Sequence, residues 1–261
     1  MRRIAYFLAV AVLGFVLLAS DNLDYGVPKA DCVVDRPGYV LGYSEEHEQA
    51  AWVMYRLTRT EALSQKAMRS GDFREDTNVV TLSALPLDYW RSGWDRGHLA
   101  PAEDMRFSER AMRDSFYMSN VSPQSAGFNR GVWSRLEAEV RRMACREGAV
   151  FVITGPILEG GLRKIGCVNK VSVPRRFYKV VYDESPPVKM IAFIVPNEGS
   201  SAPLAGFVTT VDEVERQTGL DFFAGLANED VLEARSDYDA WRAEEKPCAS
   251  LCPPCGKRII D

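Results

Sequence analysis

The sequence predicts a single α+β domain with a central, mostly antiparallel sheet flanked by helices. Three observations carry this expectation. Strand-like and helix-like stretches mix between residues 39 and 241 without a regular βαβ repeat. The clearest strand candidates, residues 176–182 and 189–195, are separated only by a short connection holding Pro186-Pro187, so they should lie side by side and run antiparallel. No linker interrupts residues 30–245, and a chain of 261 residues that is 46% hydrophobic and 26% charged can bury one sizeable core.

Taken in order, residues 1–20 read as a targeting segment. Arg2 and Arg3 give a positive start, residues 4–19 carry no charge, and small residues at 19–20 suit cleavage. A cleaved export signal is expected, and with it a periplasmic or secreted protein. An uncleaved anchor facing an oxidising compartment ranks second, and only then would a membrane be a partner. A mitochondrial presequence should be amphipathic and richer in Arg and Ser, so it ranks third.

Residues 39–43 predict a strand. Ser44 can cap a helix over 45–59, with His47 as a solvated residue of its first turn. Residues 78–85 are apolar and β-branched enough for a strand. A short helix at 108–114, a strand at 116–121, a helix at 133–146 and a buried strand at 150–153 follow. Thr210-Val211-Asp212-Glu213 is a capping box and Gly219 closes that helix. Residues 228–241 form a last, acidic helix.

Six cysteines agree with an oxidising compartment: Cys32, Cys145, Cys167, Cys248, Cys252 and Cys255. The expected pairing joins Cys145 to Cys167 and Cys32 to the tail cluster. In that tail, residues 246–261, the cysteine spacing could also suit zinc or a redox pair at Cys252 and Cys255. With no histidine and no fourth close ligand there, structural disulfides are the preferred reading.

The net charge of −4 argues against indiscriminate coating of nucleic acid. Its distribution is uneven, however. Residues 91–146 hold ten Lys/Arg against seven Asp/Glu, residues 163–189 seven against two, and residues 205–245 three against eleven. A basic face with an acidic back would fit a polyanionic substrate, although charge runs also simply solvate surfaces.

The stretch Trp94-Asp95-Arg96-Gly97-His98-Leu99-Ala100-Pro101 holds one of only two histidines. A histidine can draw a proton from water near neutral pH. On an extended strand Arg96 and His98, two apart, face the same way. A guanidinium and an imidazole converging on one spot suit a phosphate. Gly97 lets backbone or substrate approach closely. Asp95 faces the other way and is expected to hold the strand.

About thirty residues on, Asn129 opens a helix. At 100° per residue, Trp133, Leu136 and Val140 fall within roughly 40° of it, and Glu137 lies roughly 80° round. The first three should anchor the helix in the core, leaving Asn129 and Glu137 to flank a small polar cavity. One neutral oxygen and one carboxylate suit Mg²⁺, which keeps most of its waters, rather than Zn²⁺ or a two-metal site. Glu103 and Asp104 are adjacent, point apart, and are poor ligand candidates.

Together with Ser119-Asn120-Val121-Ser122-Pro123-Gln124, these stretches resemble the DNA/RNA non-specific endonucleases, the endonuclease G-like family. Residues 38–43, Phe73-Arg74-Glu75-Asp76, Thr154-Gly155-Pro156 and residues 173–179 extend the resemblance over roughly residues 35–225. It implies a ββα-metal active site that hydrolyses phosphodiesters of DNA and RNA to 5′-phosphate products, with Mg²⁺ as cofactor and Mn²⁺ as a substitute. It implies His98 as general base, Asn129 as direct metal ligand and Glu137 as a ligand through water. Arg96 and Asn120 would contact the phosphate or support the site, and an upstream arginine, Arg74 or Arg69, would contact it too. Arg130, where relatives often carry Gln, would add positive charge beside the cleft. The family resemblance also suggests a homodimer, though no apolar stripe in the sequence establishes one. The rival is an exported protein that binds nucleic acid without cutting it, which would have no use for a base at His98.

Overall fold

A computed structural model describes residues 25–242 of the chain. Residues 1–20 and the cysteine-rich tail therefore lie outside the described residues. In chain order the elements are β1 (Cys32–Arg36), β2 (Tyr39–Ser44), β3 (Gln49–Thr58), α1 (Arg59–Ala62), β4 (Asp95–His98), α2 (Glu109–Asp114), β5 (Val121–Gln124) and α3 (Ser134–Glu147). They continue with β6 (Ala149–Pro156), β7 (Lys164–Ile165), β8 (Val171–Ser172), β9 (Arg176–Asp183), β10 (Lys189–Pro196), β11 (Val208–Thr209), α4 (Val211–Thr218) and α5 (Glu229–Glu233).

Seven strands form one sheet in the order β1-β2-β3-β6-β9-β10-β11, each pair antiparallel. The expected α+β architecture on an antiparallel sheet is what forms. Side chains alternate between two cores. On β3, Val53, Tyr55 and Leu57 enter one and Trp52 and Met54 the other. On β10, Ile191, Phe193 and Val195 oppose Met190, Ala192 and Ile194. Because successive strand residues point to opposite faces, both faces must be covered. The first core takes α3, through Trp133, Leu136, Val140, Met143 and Ala144. The second takes α4 and the segment after it, through Val211, Val214, Phe222 and Phe223.

The helix expected over 45–59 is corrected to a turn followed by β3. Its side chains alternate between the two cores on a period of two, and Glu48, at φ 54°, reverses the chain between β2 and β3. Only Arg59–Ala62 is helical, capped by Thr58 with Glu61 reaching back. His47 thus lies in that turn, half-buried, with Nδ1 2.9 Å from the Ser172 hydroxyl. The strand expected over 78–85 is a loop: burial follows no period of two, with Val79, Ser83 and Ala84 buried while Val80 is 85% exposed. Residues 116–121 divide into a 3₁₀ turn, Met118–Asn120, and the start of β5. The acidic helix expected over 228–241 shortens to α5.

Helices at α2, α3 and α4 form where expected. Ser108 caps α2, and α4 runs from the Thr210 cap to Gly219 in the left-handed region. The expected Cys145–Cys167 bond is not made. Cys145 is buried in the core on the last turn of α3, whereas Cys167 is exposed between β7 and β8. Among the described residues no helix is long and apolar enough to cross a membrane.

Candidate active site

β4 and β5 form a separate antiparallel ribbon in which Asp95 faces Gln124 and His98 faces Val121. A π-helical turn, Phe128–Trp133, then leads into α3, giving a strand–strand–helix succession. Gly97 is required here: a Cβ at that position would lie 2.1 Å from the Gln124 side chain. The close approach expected at Gly97 is therefore made by a neighbouring strand's side chain.

Arg96 and His98 share a face of β4, as the two-residue spacing predicts. The His98 imidazole packs between Phe73 and Phe116, with ring centroids 5.3 and 4.8 Å away. Arg96 lies 4.4 Å over the Phe73 ring, and Arg69 lies 5.4 Å over the Phe116 ring. An aromatic wall therefore carries two guanidinium groups beside one imidazole. His98 is 8% exposed and its Nε2 has no hydrogen-bond partner among the described residues. Burial first, then the charges of Arg69 and Arg96, hold the imidazole down to about 3, so it is neutral near pH 7.

Asp95, on the opposite face, accepts from Asn129 Nδ2 at 2.9 Å. It also accepts from Arg130 Nε at 2.9 Å and from an Arg130 terminal nitrogen at 2.7 Å. This fixes the Asn129 amide with its nitrogen toward the strand, leaving Oδ1 without a partner among the described residues. The extra positive charge expected from Arg130 is accordingly neutralised at Asp95 and does not stand free beside the cleft.

Trp133, Leu136 and Val140 are at most 1% exposed, so α3 is anchored as its spacing predicts. Glu137 lies half-buried at the edge of that stripe. Burial pushes its carboxyl up, while Lys179, Arg141 and Arg69 pull it down and Asp104 adds to the rise. No hydrogen bond or ion pair within the protein takes up its oxygens among the described residues. Asn129 Oδ1 and the Glu137 carboxylate are thus two uncommitted oxygen donors, one neutral and one anionic. Such a set fits a hard, largely hydrated divalent cation such as Mg²⁺.

Asn120 does not reach outward. It is fully buried, its Oδ1 accepts from Ala100 N at 2.9 Å, and its Nδ2 donates to the carbonyls of Ala100 and Ser115 at 3.0 and 2.9 Å. The arrangement suits support of the chain after His98 and leaves no polar atom for a phosphate. Arg74 is likewise engaged elsewhere: it donates to the Arg113 carbonyl at 2.8 Å and lies 4.0 Å over the Tyr117 ring. Of the two upstream arginines, Arg69 is the one whose charge acts on His98.

Sequence reasoning missed Lys179 and Arg141, and weighed Asp104 only as a metal ligand. Lys179 is fully buried, faces the α3 side of the sheet between Phe177 and Val181, and has its Nζ 4.7 Å over the Trp133 ring. A lysine at an inward position of an otherwise apolar alternation was the available signal. Arg141, one turn after Glu137, pairs with buried Asp104 at 2.7 Å, and Tyr55 donates to that carboxylate at 2.8 Å. Glu103 pairs with Arg106 at 3.0 Å, in keeping with its exclusion as a ligand.

Residues 18–229 match the family described as DNA/RNA non-specific endonuclease. Nuclease EXOG, mitochondrial, of Danio rerio is 35% identical over 204 residues, covering 72% of this chain and 60% of that protein. Endonuclease G, mitochondrial, of Homo sapiens is 34% identical over 216 residues, covering 77% of this chain and 73% of that protein. The mitochondrial nuclease of Saccharomyces cerevisiae is 32% identical over 226 residues, covering 77% and 69%. A crystal structure of EndoG in complex with EndoGI superposes with a TM-score of 0.73 at 35% identity, over 79% of this chain and 91% of that one. The chain spans only about 60% of the length of the EXOG relatives. These relatives are mitochondrial, which overturns the periplasmic or secreted location expected from residues 1–20. The uniform apolarity of residues 4–19 is not a sufficient guide to compartment.

Proposed function

Because the chain belongs to the DNA/RNA non-specific endonuclease family, we propose that it is a divalent-metal-dependent endonuclease that hydrolyses phosphodiester bonds of DNA and RNA. The observation that carries the reading is the unpartnered His98 Nε2, set between Phe73 and Phe116 with Arg69 and Arg96 alongside.

Each residue has a task that follows from its surroundings. Neutral His98 accepts a proton at Nε2 from the attacking water, whose oxygen then adds to phosphorus in line with the leaving 3′-oxygen. The 3′-oxygen departs as it takes up a proton from solvent, and the phosphate stays on the 5′-oxygen of the downstream nucleotide. Arg96 and Arg69 face the charge that builds on the phosphate oxygens, and their aromatic seats keep them oriented. Asn129, held by Asp95, would ligate Mg²⁺ through Oδ1, and Glu137 would reach it through water. When bound, that ion supplies positive charge opposite the phosphate and the leaving oxygen. Asn120 braces the backbone after His98, and Arg74 braces the loop beside Tyr117.

Contacts of this kind address the phosphate and not the sugar or base, so DNA and RNA should both be cut. Incubation of the purified chain with plasmid and with RNA, in Mg²⁺ or Mn²⁺ and then in EDTA, tests the reading. Metal-dependent degradation of both is expected, and His98→Ala should lower the rate by about 10²- to 10⁴-fold while the melting curve stays cooperative. Degradation that survives EDTA, or an unchanged rate in His98→Ala, would sink it.

A further inference from the structure

A second group of chemistry-bearing residues lies across the sheet from His98 and has no part in the proposed reaction. Of the eleven acidic residues at 205–245, five meet there: Asp212, Glu215, Asp221, Glu229 and Glu233. Asp212 and Glu215 on α4 and Glu233 at the end of α5 each offer a carboxylate oxygen, all within 4.8 Å of one another. Asp221 and Glu229 stand near enough to act on Glu233 as well.

Asp212 and Asp221 are exposed, but the cluster reaches into the interior at Glu233. Glu233 is 95% buried, and its Oε1 has no hydrogen-bond partner among the described residues. A buried oxygen of Glu229 is unpartnered too. Glu215 donates nothing to the balance, since one of its oxygens already accepts from Phe222 N at 2.8 Å. None of the five carboxylates has an ion-pair partner among the described residues; the one basic residue of α4, Arg216, pairs with Glu213 at 2.6 Å. A buried carboxylate left without donor or counter-charge is costly, and the usual remedies are a proton or a metal.

We propose that Asp212, Glu215 and Glu233 bind a Ca²⁺ ion that fastens α5 to α4. Carboxylate oxygens alone exclude a soft or nitrogen-seeking metal. Three carboxylates meeting at one point exceed the one or two that Mg²⁺ ordinarily takes from a protein while keeping its waters. Oxygens within 4.8 Å of one another fit inside a Ca²⁺ sphere, which is about twice 2.3–2.6 Å across. Burial and the surrounding carboxylates, Glu215 first, push Glu233 up to about 8, as expected of a carboxyl in want of a positive neighbour. The site is separate from the nuclease centre: α4 rests on the core holding Val211 and Val214, whereas α3 rests on the opposite one. Glu233 also lies beyond residue 229, where the family match ends.

Calorimetric titration of the full chain with CaCl₂, paired with thermal melts, tests this. Wild type should bind one Ca²⁺ at this site and melt several degrees higher in about millimolar Ca²⁺ than in EDTA. Asn129→Ala removes the proposed nuclease-site ligand and should retain that binding and that rise. Glu233→Gln should lose both, melt in EDTA close to wild type because the amide is the neutral counterpart of a metal-free Glu233 that keeps its proton near pH 7, and cut plasmid in Mg²⁺ within about twofold of wild type. Asp212→Asn, an exposed substitution, should weaken binding at least about tenfold and serves if Glu233→Gln fails to fold. If wild type binds no Ca²⁺ outside the nuclease site, Glu233 carries a proton instead and the proposal fails. Binding lost in Asn129→Ala but kept in Glu233→Gln would overturn it equally, by assigning the ion to the nuclease centre.

Discussion

At His98 three influences act in one direction: burial between Phe73 and Phe116, the charge of Arg69 and the charge of Arg96 all favour the neutral ring. The folded value of about 3 lies below the ordinary unfolded value of about 6.5. Between these pH values the unfolded chain binds the extra proton, so stability rises with pH across the window and is lost as pH falls below about 6.5. The loss approaches about 1.4 kcal/mol per pH unit for a single group. Urea unfolding at about pH 7 and about pH 5 should therefore show wild type losing about 2 kcal/mol more than His98→Gln. His47 is present in both proteins and cancels. Equal losses in the two would mean that His98 takes up its proton in the folded state as readily as in the unfolded one. The neighbourhood of His98 was partly legible beforehand: the two-residue spacing to Arg96 gave the shared face. Phe73 and Phe116 were not, because they reach the ring from loops whose path no local pattern encodes, and Arg69 entered only as one of two upstream arginines that the family resemblance implied.

Among the elements, the loop that carries Phe73 to His98's side is held by one carboxylate. Asp76 is fully buried, pairs with Arg36 of β1 at 2.5 Å, accepts from the Ser119 hydroxyl and from Asn78 N, and has its own N–H bonded to Ser83. It thus ties the loop after Phe73 to the edge of the sheet and to the 3₁₀ turn before β5. Asp76→Asn would leave the buried Arg36 guanidinium without its counter-charge, a change that costs about 3–5 kcal/mol when a buried pair is broken. A drop of that size in unfolding free energy is expected, with the nuclease rate falling as the Phe73 wall loosens. A loss below about 1 kcal/mol would show that Asp76 is no such tie. Elements that interact locally were readable: α3 through its apolar spacing, α4 through its Thr210 cap, β9 and β10 through their short connection. β3 was misread as helix because Ser44 and Glu45 imitate a helix start, while the strand identity of residues 49–58 depends on pairing with β2 and β6. Lys179 was overlooked although it shares the alternation of Phe177 and Val181, because which face of β9 meets α3 is set by its pairing with β6 and β10.

For the whole molecule, the sheet separates two electrostatic environments, and charge counts along the sequence conveyed the division but not its strength. Much of the positive charge in residues 91–146 is paired internally: Arg130 with Asp95, Arg141 with Asp104, and Arg142 and Arg146 with Glu139. What remains to meet a polyanion is a smaller set near β4. A cleft of about 570 Å³ begins at Trp94, the residue before β4, and is lined by Arg163 and Arg175 among others. Arg175 is partnered by Glu159 at 3.2 Å, whereas Arg163 is exposed and has no ion pair among the described residues. If a nucleic-acid backbone runs from His98 along this cleft, Arg163 neutralises one phosphate and releases its counterions. Binding of catalytically silenced His98→Ala protein to a DNA duplex and to an RNA duplex, followed as log Kd against log salt, should then be steeply salt-dependent for both. Adding Arg163→Ala should weaken binding about equally for DNA and RNA and lower the slope by about one. Adding Arg216→Ala, on α4 across the sheet, should change neither affinity nor slope. Equal effects from the two arginines would mean that the substrate senses net charge and not a face. An Arg163 effect confined to DNA would move this arginine from backbone recognition to discrimination between the two nucleic acids.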